Sequence, residues 1–292
     1  MMNFLKKLFG SKPAPASPRP APPKPSKPPI PQEELDAFKA WFASQTRPAI
    51  AFKPAPDRPV AEHGSRLGGP AWLADGEDWP KAANGVPLEL VFQLDCADCA
   101  TLDGYPADTI LQFFVGRGDV YGCDFDDLVN GDFLVHARHS SDNGSLHTPP
   151  SLEEANGEFG NEYSPFLKMD VRQTGLMLDP QQVDDRMDYS IDGLYDHVLP
   201  LQDKFDLAAL DAWLDSEDGM RPHRHHTGGY PAFTQADITE TSAGKPFDHV
   251  LLRVTSDENV MWGDVGECVF LIRSADLRKG DFSRVAYSWD CH

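Results

Sequence analysis

Two matching turn motifs about 160 residues apart constrain this chain more than any other feature: Gly68-Gly69-Pro70-Ala71-Trp72 and Gly228-Gly229-Tyr230-Pro231-Ala232-Phe233. In both, a Gly-Gly turn runs into a proline and an aromatic, and strand-like runs follow. Repetition at that distance predicts an internal duplication, with one half at about residues 48–140 and the other at about 220–291. The repeat speaks to fold and carries no reaction.

The chain has 292 residues, enough to bury a sizeable core as one large domain or two ordinary ones. Its formal charge is −20, unevenly spread. Lys6, Lys7, Lys12, Arg19, Lys24 and Lys27 place six positive charges on the first thirty residues, which hold no acid, so the remainder carries −26. A surface that acidic repels phosphate backbones, and nucleic acid is not an expected partner. Five cysteines (Cys96, Cys99, Cys123, Cys268, Cys291) are too few and too odd in number for a disulfide-stapled secreted domain, which points to the cytoplasm. The opening MMNFLKKLFG has an apolar stretch shorter than a signal peptide needs, and no cleavage site follows it.

Residues 13–31 contain ten of the 26 prolines, so residues 1–31 are expected to be a disordered Pro/Lys-rich tail ahead of a domain at 32–292. Phe4, Leu5, Leu8 and Phe9 beside Lys6 and Lys7 read as a frayed tail in preference to an amphipathic turn that weakly touches a membrane, and no other membrane contact is expected. Leu35, Phe38, Trp41 and Phe42 recur at helical spacing, predicting a helix over Gln32 to Gln45 whose aromatic stripe packs into a core. Strands are predicted at Ala49 to Phe52, Leu88 to Leu94, Ile110 to Val115, Asp132 to Ala137, Val250 to Thr255, Glu267 to Arg273 and Arg284 to Trp289. A second helix, capped by Asp206, is predicted over Leu207 to Leu214, and a long irregular loop over Ser140 to Pro165.

The strings SRLGGPAWL at 65–73, Trp79-Pro80, VFQLD at 91–95, LQFF at 111–114, GGYPAFTQAD at 228–237, LLRVTSD at 251–257, MWGDVGECVFLIRSADL at 261–277 and DFSRVAYSWDC at 281–291 resemble the YwqG-like family of bacterial domains of unknown function. The resemblance spans roughly residues 48–291 and implies an α+β fold with antiparallel sheets and a few helices, cytoplasmic, with no activity or catalytic residue to carry over.

Cys96-Ala97-Asp98-Cys99 has the spacing of half a zinc site, but no second Cys-x-x-Cys exists to close a four-ligand shell, and neither metal nor cofactor is expected. Asp95 and Asp98 disfavour a thiolate there, which argues against redox chemistry. His223-Arg224-His225-His226 reads as an exposed basic loop in preference to a metal site. Trp262-Gly263-Asp264-Val265-Gly266 reads as a hairpin turn, with an anion-binding nest as the rival. Gln93 and Gln112 sit inside apolar strands, where they are structural if bonded to backbone and recognition residues if they face a groove. Carboxylate pairs such as Asp126-Asp127, Glu153-Glu154 and Asp184-Asp185 read as solvated, and no Gly-x-Ser-x-Gly elbow occurs.

These readings lead to an expectation of a cytoplasmic, non-enzymatic binding module for a protein or peptide partner. The alternative is a small-ligand binder or enzyme using a pocket between the two halves. The residues expected around such a cleft are Trp72, Trp79, Gln93, Gln112, Tyr230, Gln235, Trp262 and Asp264: aromatics for contact area, amides and a carboxylate for orientation.

Overall fold

Apolar runs with strand periodicity build most of this fold, and the computed structural model describes it at residues 27–151, 164–187, 192–214, 216 and 225–292. The strands are β1 (Thr46–Pro54), β2 (Arg66–Leu67), β3 (Ala71–Ala74), β4 (Glu89–Asp95), β5 (Thr109–Val115), β6 (Phe133–His139), β7 (Gly144–His147), β8 (Leu176–Arg186), β9 (His225–Gly228), β10 (His249–Thr255), β11 (Glu267–Ile272) and β12 (Ala286–Asp290). Ten of them form one sheet in the order β12-β11-β10-β9-β1-β8-β2-β4-β5-β6, and β3 pairs separately with β7. Every one of these ladders is antiparallel. The helices are α1 (Gln32–Ser44), α2 (Met169–Thr174), α3 (Asp192–Lys204), α4 (Ala208–Leu214) and α5 (Ser274–Leu277).

The large sheet curls into a nearly closed barrel because its two ends share one core. Phe113 of β5 meets Phe270 of β11 with ring centroids 4.9 Å apart, and Phe133 of β6 meets Tyr287 of β12 at 5.1 Å. Alternation turns Leu111, Phe113 and Val115 of β5 inward with Cys268, Phe270 and Ile272 of β11. The gap between the two edges is covered by the loop after β5. There Leu128 O accepts from Tyr287 N (2.8 Å) and Val120 O from Trp289 Nε1 (2.7 Å). A closed edge offers no free ladder for a second chain to extend. A separate small core joins Leu35, Phe38 and Phe42 of α1 to Leu194 of α3 and Leu210 of α4, with Ile30 packed into it.

The predicted elements at α1, α4 and seven strands are present with shifted ends, and Asp206 Oδ1 accepts from Ala208 N at the start of α4 (3.0 Å). Three differences stand out. β8 is not legible as a strand, since Asp179, Pro180, Gln181 and Gln182 are all exposed along it. It forms because the full length of β1 pairs with it, from Thr46↔Arg186 to Pro54↔Leu178. Within the stretch expected to be an irregular loop, Gly144–His147 forms β7 by pairing with β3, while residues 152–163, Glu153-Glu154 among them, lie outside the described residues. α3 carries Pro200 in its interior and was not expected as a helix.

On the outer side of the barrel, cross-strand register lines up Arg66, Gln93, Gln112 and His136. Arg66, Gln93 and Gln112 are fully buried and need partners away from water. The Gln112 carboxamide grips the backbone of Trp72, its Nε2 donating to Trp72 O (2.9 Å) and its Oε1 accepting from Trp72 N (2.8 Å). Gln93 Nε2 donates to Glu62 O (2.9 Å) and Gly64 O (3.0 Å). Arg66 donates to Pro70 O and Ala61 O, and burial, reinforced by the Arg138 charge, lowers its pKa to about 9. Both glutamines are therefore bonded to backbone and hold β3 and the preceding loop on the barrel. Replacing Gln112 by Leu strands one buried N–H and one buried C=O, and should lower the unfolding free energy by about 2 to 4 kcal/mol in a denaturant titration. An unchanged midpoint would show that the Trp72 backbone has other partners.

Candidate functional site

The second Gly-Gly turn shapes a surface that brings charged and hydrogen-bonding side chains together. Gly228 and Gly229 take φ of 70° and 68°, which turns the chain sharply at the end of β9 and places Tyr230 N on Asp185 Oδ2 of β8 (2.8 Å). The Tyr230 ring then lies under the guanidinium of Arg47, 4.0 Å from its centroid. Arg47 is exposed at the start of β1 and has no carboxylate within ion-pair distance among the described residues.

Two adjoining cavities share Arg47, Asp248 and His249. One, of about 370 Å³, extends past Tyr230 toward Thr239, Glu240 and Lys245. The other, of about 280 Å³, runs past Gly229 toward Asp103 and Arg278. Together they form a groove whose walls alternate in charge. Lys245 pairs with Glu240 (3.4 Å) and Arg278 with Asp103 (3.4 Å), both exposed pairs that contribute little to stability.

His249 is fixed from behind. Tyr105, on the loop between β4 and β5, places its hydroxyl against Thr227 Oγ1 and 2.9 Å from His249 Nε2. Burial lowers the His249 pKa below its usual value. Asp248 and Asp103 act to raise it and Arg47 and Arg278 to lower it, so the ring is neutral near pH 7. The Tyr105 hydroxyl is shifted well upward by burial and stays protonated.

Of the eight residues expected from sequence, Tyr230 lines this groove and the other seven lie elsewhere. Trp72 of β3 sits buried with Gln93 and Gln112 beneath that strand, with Arg138 4.2 Å over the Trp72 ring. Trp79 is half-buried, donating from Nε1 to Leu88 O (2.8 Å) and meeting Phe114 edge-on. Trp262 is fully buried against Tyr121. Gln235 is exposed and donates to Cys291 O (2.9 Å), while Asp264 is exposed and its backbone O accepts from His292 N (3.1 Å). Gly266 N donates to Trp262 O (2.8 Å), which closes the segment as a turn.

The histidine cluster differs from its reading as an exposed loop. His225 and His226 are buried on β9, where strand alternation sends them to opposite faces, while His223 and Arg224 lie outside the described residues. His225 Nδ1 accepts from Thr255 N (3.2 Å) and its Nε2 faces Asp257 Oδ2 at 3.4 Å. Burial would raise the Asp257 pKa, but the His225 hydrogen bond and charge, with the Asn259 and Val260 amides, hold it well below the usual carboxylate range. Cys96 and Cys99 are buried free thiols in a single 3₁₀ turn, and burial pushes both pKa values far up, helped by neighbouring carboxylates at Cys96 and by Cys96 and then carboxylates at Cys99. Such thiols are inert. Among the described residues no group of three or more His, Cys, Asp or Glu is placed to hold a metal ion, and no helix is long and apolar enough to cross a membrane.

Arg47, Tyr105, Thr227 and His249 were missed by sequence reasoning. They come from four separate segments, and no spacing rule links them. A search of curated proteins finds no match. A family model described as a domain of unknown function (DUF1963) matches residues 65–291, which takes in both Gly-Gly turns, Tyr105 and His249. With most of its length so matched, the chain belongs to the DUF1963 family of domains of unknown function.

Proposed function

We propose that this chain is a cytoplasmic, non-enzymatic binding module that holds a segment of a protein or peptide partner in the groove around Arg47 and His249. The observation that carries this reading is the groove itself: two adjoining open cavities, about 370 and 280 Å³, whose rims present both charge signs. An extended peptide has backbone donors and acceptors to satisfy, and a wall with Arg47, Asp248 and Thr239 supplies both. The acidic body disfavours nucleic acid as the partner. A second reading, a small-ligand site or an enzyme at the seam of two halves, is favoured by one observation: His249, neutral and fixed by Tyr105, has the character of a general base. Ser274 and Thr239 line the groove, but among the described residues neither hydroxyl is hydrogen-bonded to His249.

We further infer that the two halves are related by duplication and that the YwqG-like resemblance is genuine. What supports the duplication is the sheet order, in which β9-β10-β11-β12 and β2-β4-β5-β6 extend on opposite sides of the β1–β8 pair. A Gly-Gly turn follows both β9 and β2, and register shifts at Leu251 and Val91 stand equally far beyond those turns. Superposing the two four-strand units tests this, and failure of the paired turns to coincide would remove it.

Affinity capture from native cytosol should recover a partner with the wild-type chain and lose it with Arg47→Glu, an exposed substitution that leaves the melting temperature within a few degrees. Capture unaffected by Arg47→Glu would move the interface elsewhere.

His249 gives a pH signature. Its pKa in the folded chain lies below the ordinary value of 6.5, so as pH falls through 6.5 the unfolded chain takes up the proton first. Stability contributed by this group is thus full above that value and declines as pH drops toward the folded pKa. Urea unfolding between about pH 5 and 8 should show this slope. His249→Gln should be less stable overall, having lost Tyr105, and should lack this part of the slope. A variant that keeps the full slope would assign it to another group.

A further inference from the structure

Hydrogen-bond polarity behind His249 settles which of its ring nitrogens carries the proton. Thr227 Oγ1 donates its single proton to Leu251 O (2.8 Å). The Tyr105 hydroxyl in contact with Thr227 Oγ1 must then be the donor of that pair, because Thr227 has no second proton to give. Val250 O, at 3.4 Å, is a second, longer acceptor for the same proton. With that proton directed to Thr227 or Val250, Tyr105 Oη can only accept from His249 Nε2, 2.9 Å away. The one arrangement that satisfies all three contacts runs from His249 Nε2–H to Tyr105 to Thr227 to Leu251 O. It leaves Nδ1 as a bare acceptor, without a hydrogen-bond partner among the described residues, on a ring that lines both cavities.

The same groove also contains a free donor fork. Arg47 is stacked on Tyr230, which fixes the plane of its guanidinium and leaves the N–H edge open. The chain has 46 acidic residues against 26 basic ones, yet this arginine takes none of them as an ion-pair partner among the described residues. An anion is therefore called for at Arg47 and a hydrogen-bond donor at His249. The anion should be singly charged, because Asp248, Asp237, Glu240 and Asp103 line the same cavities and would repel a phosphate dianion more strongly. A carboxylate meets a guanidinium through two parallel hydrogen bonds and carries one charge.

We propose, building on the binding reading above, that the groove captures the free carboxy-terminus of a peptide, with the carboxylate on the Arg47 guanidinium and a backbone N–H of the last residues donated to His249 Nδ1. An internal segment would offer the N–H but no anion, and an inorganic anion would offer no donor. Capture of a terminal carboxylate by oriented donors is an established way of reading peptide ends.

The test uses the full-length ¹⁵N-labelled chain and two degenerate pools of N-acetyl tetrapeptides, one with a free carboxylate and one amidated, with N-acetylglycine as a third probe. Long-range ¹H–¹⁵N spectra of the histidine rings, assigned with His249→Ala, should show His249 protonated at Nε2 in the free protein. The free-acid pool should shift the Nδ1 resonance, and the amidated pool should bind at least about tenfold more weakly. Arg47→Gln, at an exposed position, should remove the difference between the pools while leaving the tautomer unchanged. Tyr105→Phe should release the tautomer preference and weaken the free-acid pool. Protonation at Nδ1 in the free wild type would overturn the proposal, as would a preference for the acid that survives Arg47→Gln. N-acetylglycine binding as tightly as the tetrapeptides would reassign the site to small carboxylic acids. If both pools shift His249 equally, the terminal inference fails and the binding reading stands. If neither pool shifts it at about 1 mM, both fall.

Discussion

Left-handed backbone at two glycine pairs is the constraint on which this fold rests. Gly68 and Gly69 have φ of 55° and 78°, and Gly228 and Gly229 have 70° and 68°. Adjacent positive φ values are costly for any residue with a Cβ. There is also no room for one. A Cβ on Gly228 would lie 2.8 Å from Pro48 O, one on Gly229 2.5 Å from Asp185 Oδ2, and one on Gly69 2.7 Å from the Gly175 Cα. Each turn is thus pressed onto the neighbourhood of the central pair, the first on the segment leading into β8 and the second across β1 and β8. Strands β10 to β12 and β4 to β6 run outward from these fixed points until Phe270, Tyr287, Phe113 and Phe133 meet and close the barrel.

The polar groups that the barrel buries follow from the same geometry. An outer face covered by β3 cannot hydrate the row from Arg66 to Gln112, so carboxamides and carbonyls replace water there, and Gln112 serves as a surrogate peptide unit for Trp72. Two buried arginines are matched by carboxylates: Arg172 makes two 2.8 Å hydrogen bonds to Glu89, and Arg253 pairs with Glu267. Such pairs offset their own desolvation more than they stabilise, and their value lies in fixing where α2 and β11 sit.

Much of this architecture was legible in the chain because it is written in local pattern. The strands VFQLD, LQFF and LLRVT announce themselves by apolar runs, α1 by its aromatic stripe, and the turns by paired glycines. β8 escaped because a strand whose middle is exposed needs no apolar alternation, only a long partner, and that partner is 130 residues away in β1. The groove escaped for a related reason. Gln93, Gln112, Trp72 and Trp262 attract notice as polar or bulky residues in apolar runs, yet those are the positions that packing and backbone pairing consume. Arg47 and His249 look ordinary in sequence and acquire their chemistry only when β1, β9, β10 and the Tyr105 loop converge.

Arg47 and Arg66 show why burial alone does not identify a site. Neither has a carboxylate partner among the described residues. Arg66, fully buried, gives protons to the carbonyls of Ala61 and Pro70, and its pKa falls to about 9 because nothing anionic compensates the lost water. A ligand has no route to it, so its cation is a structural cost borne to anchor the first Gly-Gly turn. Arg47 keeps its water, is held flat by Tyr230, and opens on both cavities. An anion arriving there replaces solvent at one exposed edge without breaking any existing ion pair, and the side-chain order it requires has already been imposed by stacking. Beside it, His249 presents the opposite hydrogen-bonding sense because Tyr105 and Thr227 leave it no other. Two adjacent groups of opposite preference, each preset by its own backing residues, give this seam of the barrel the power to discriminate among ligands that the two arginines, taken by charge alone, would not reveal.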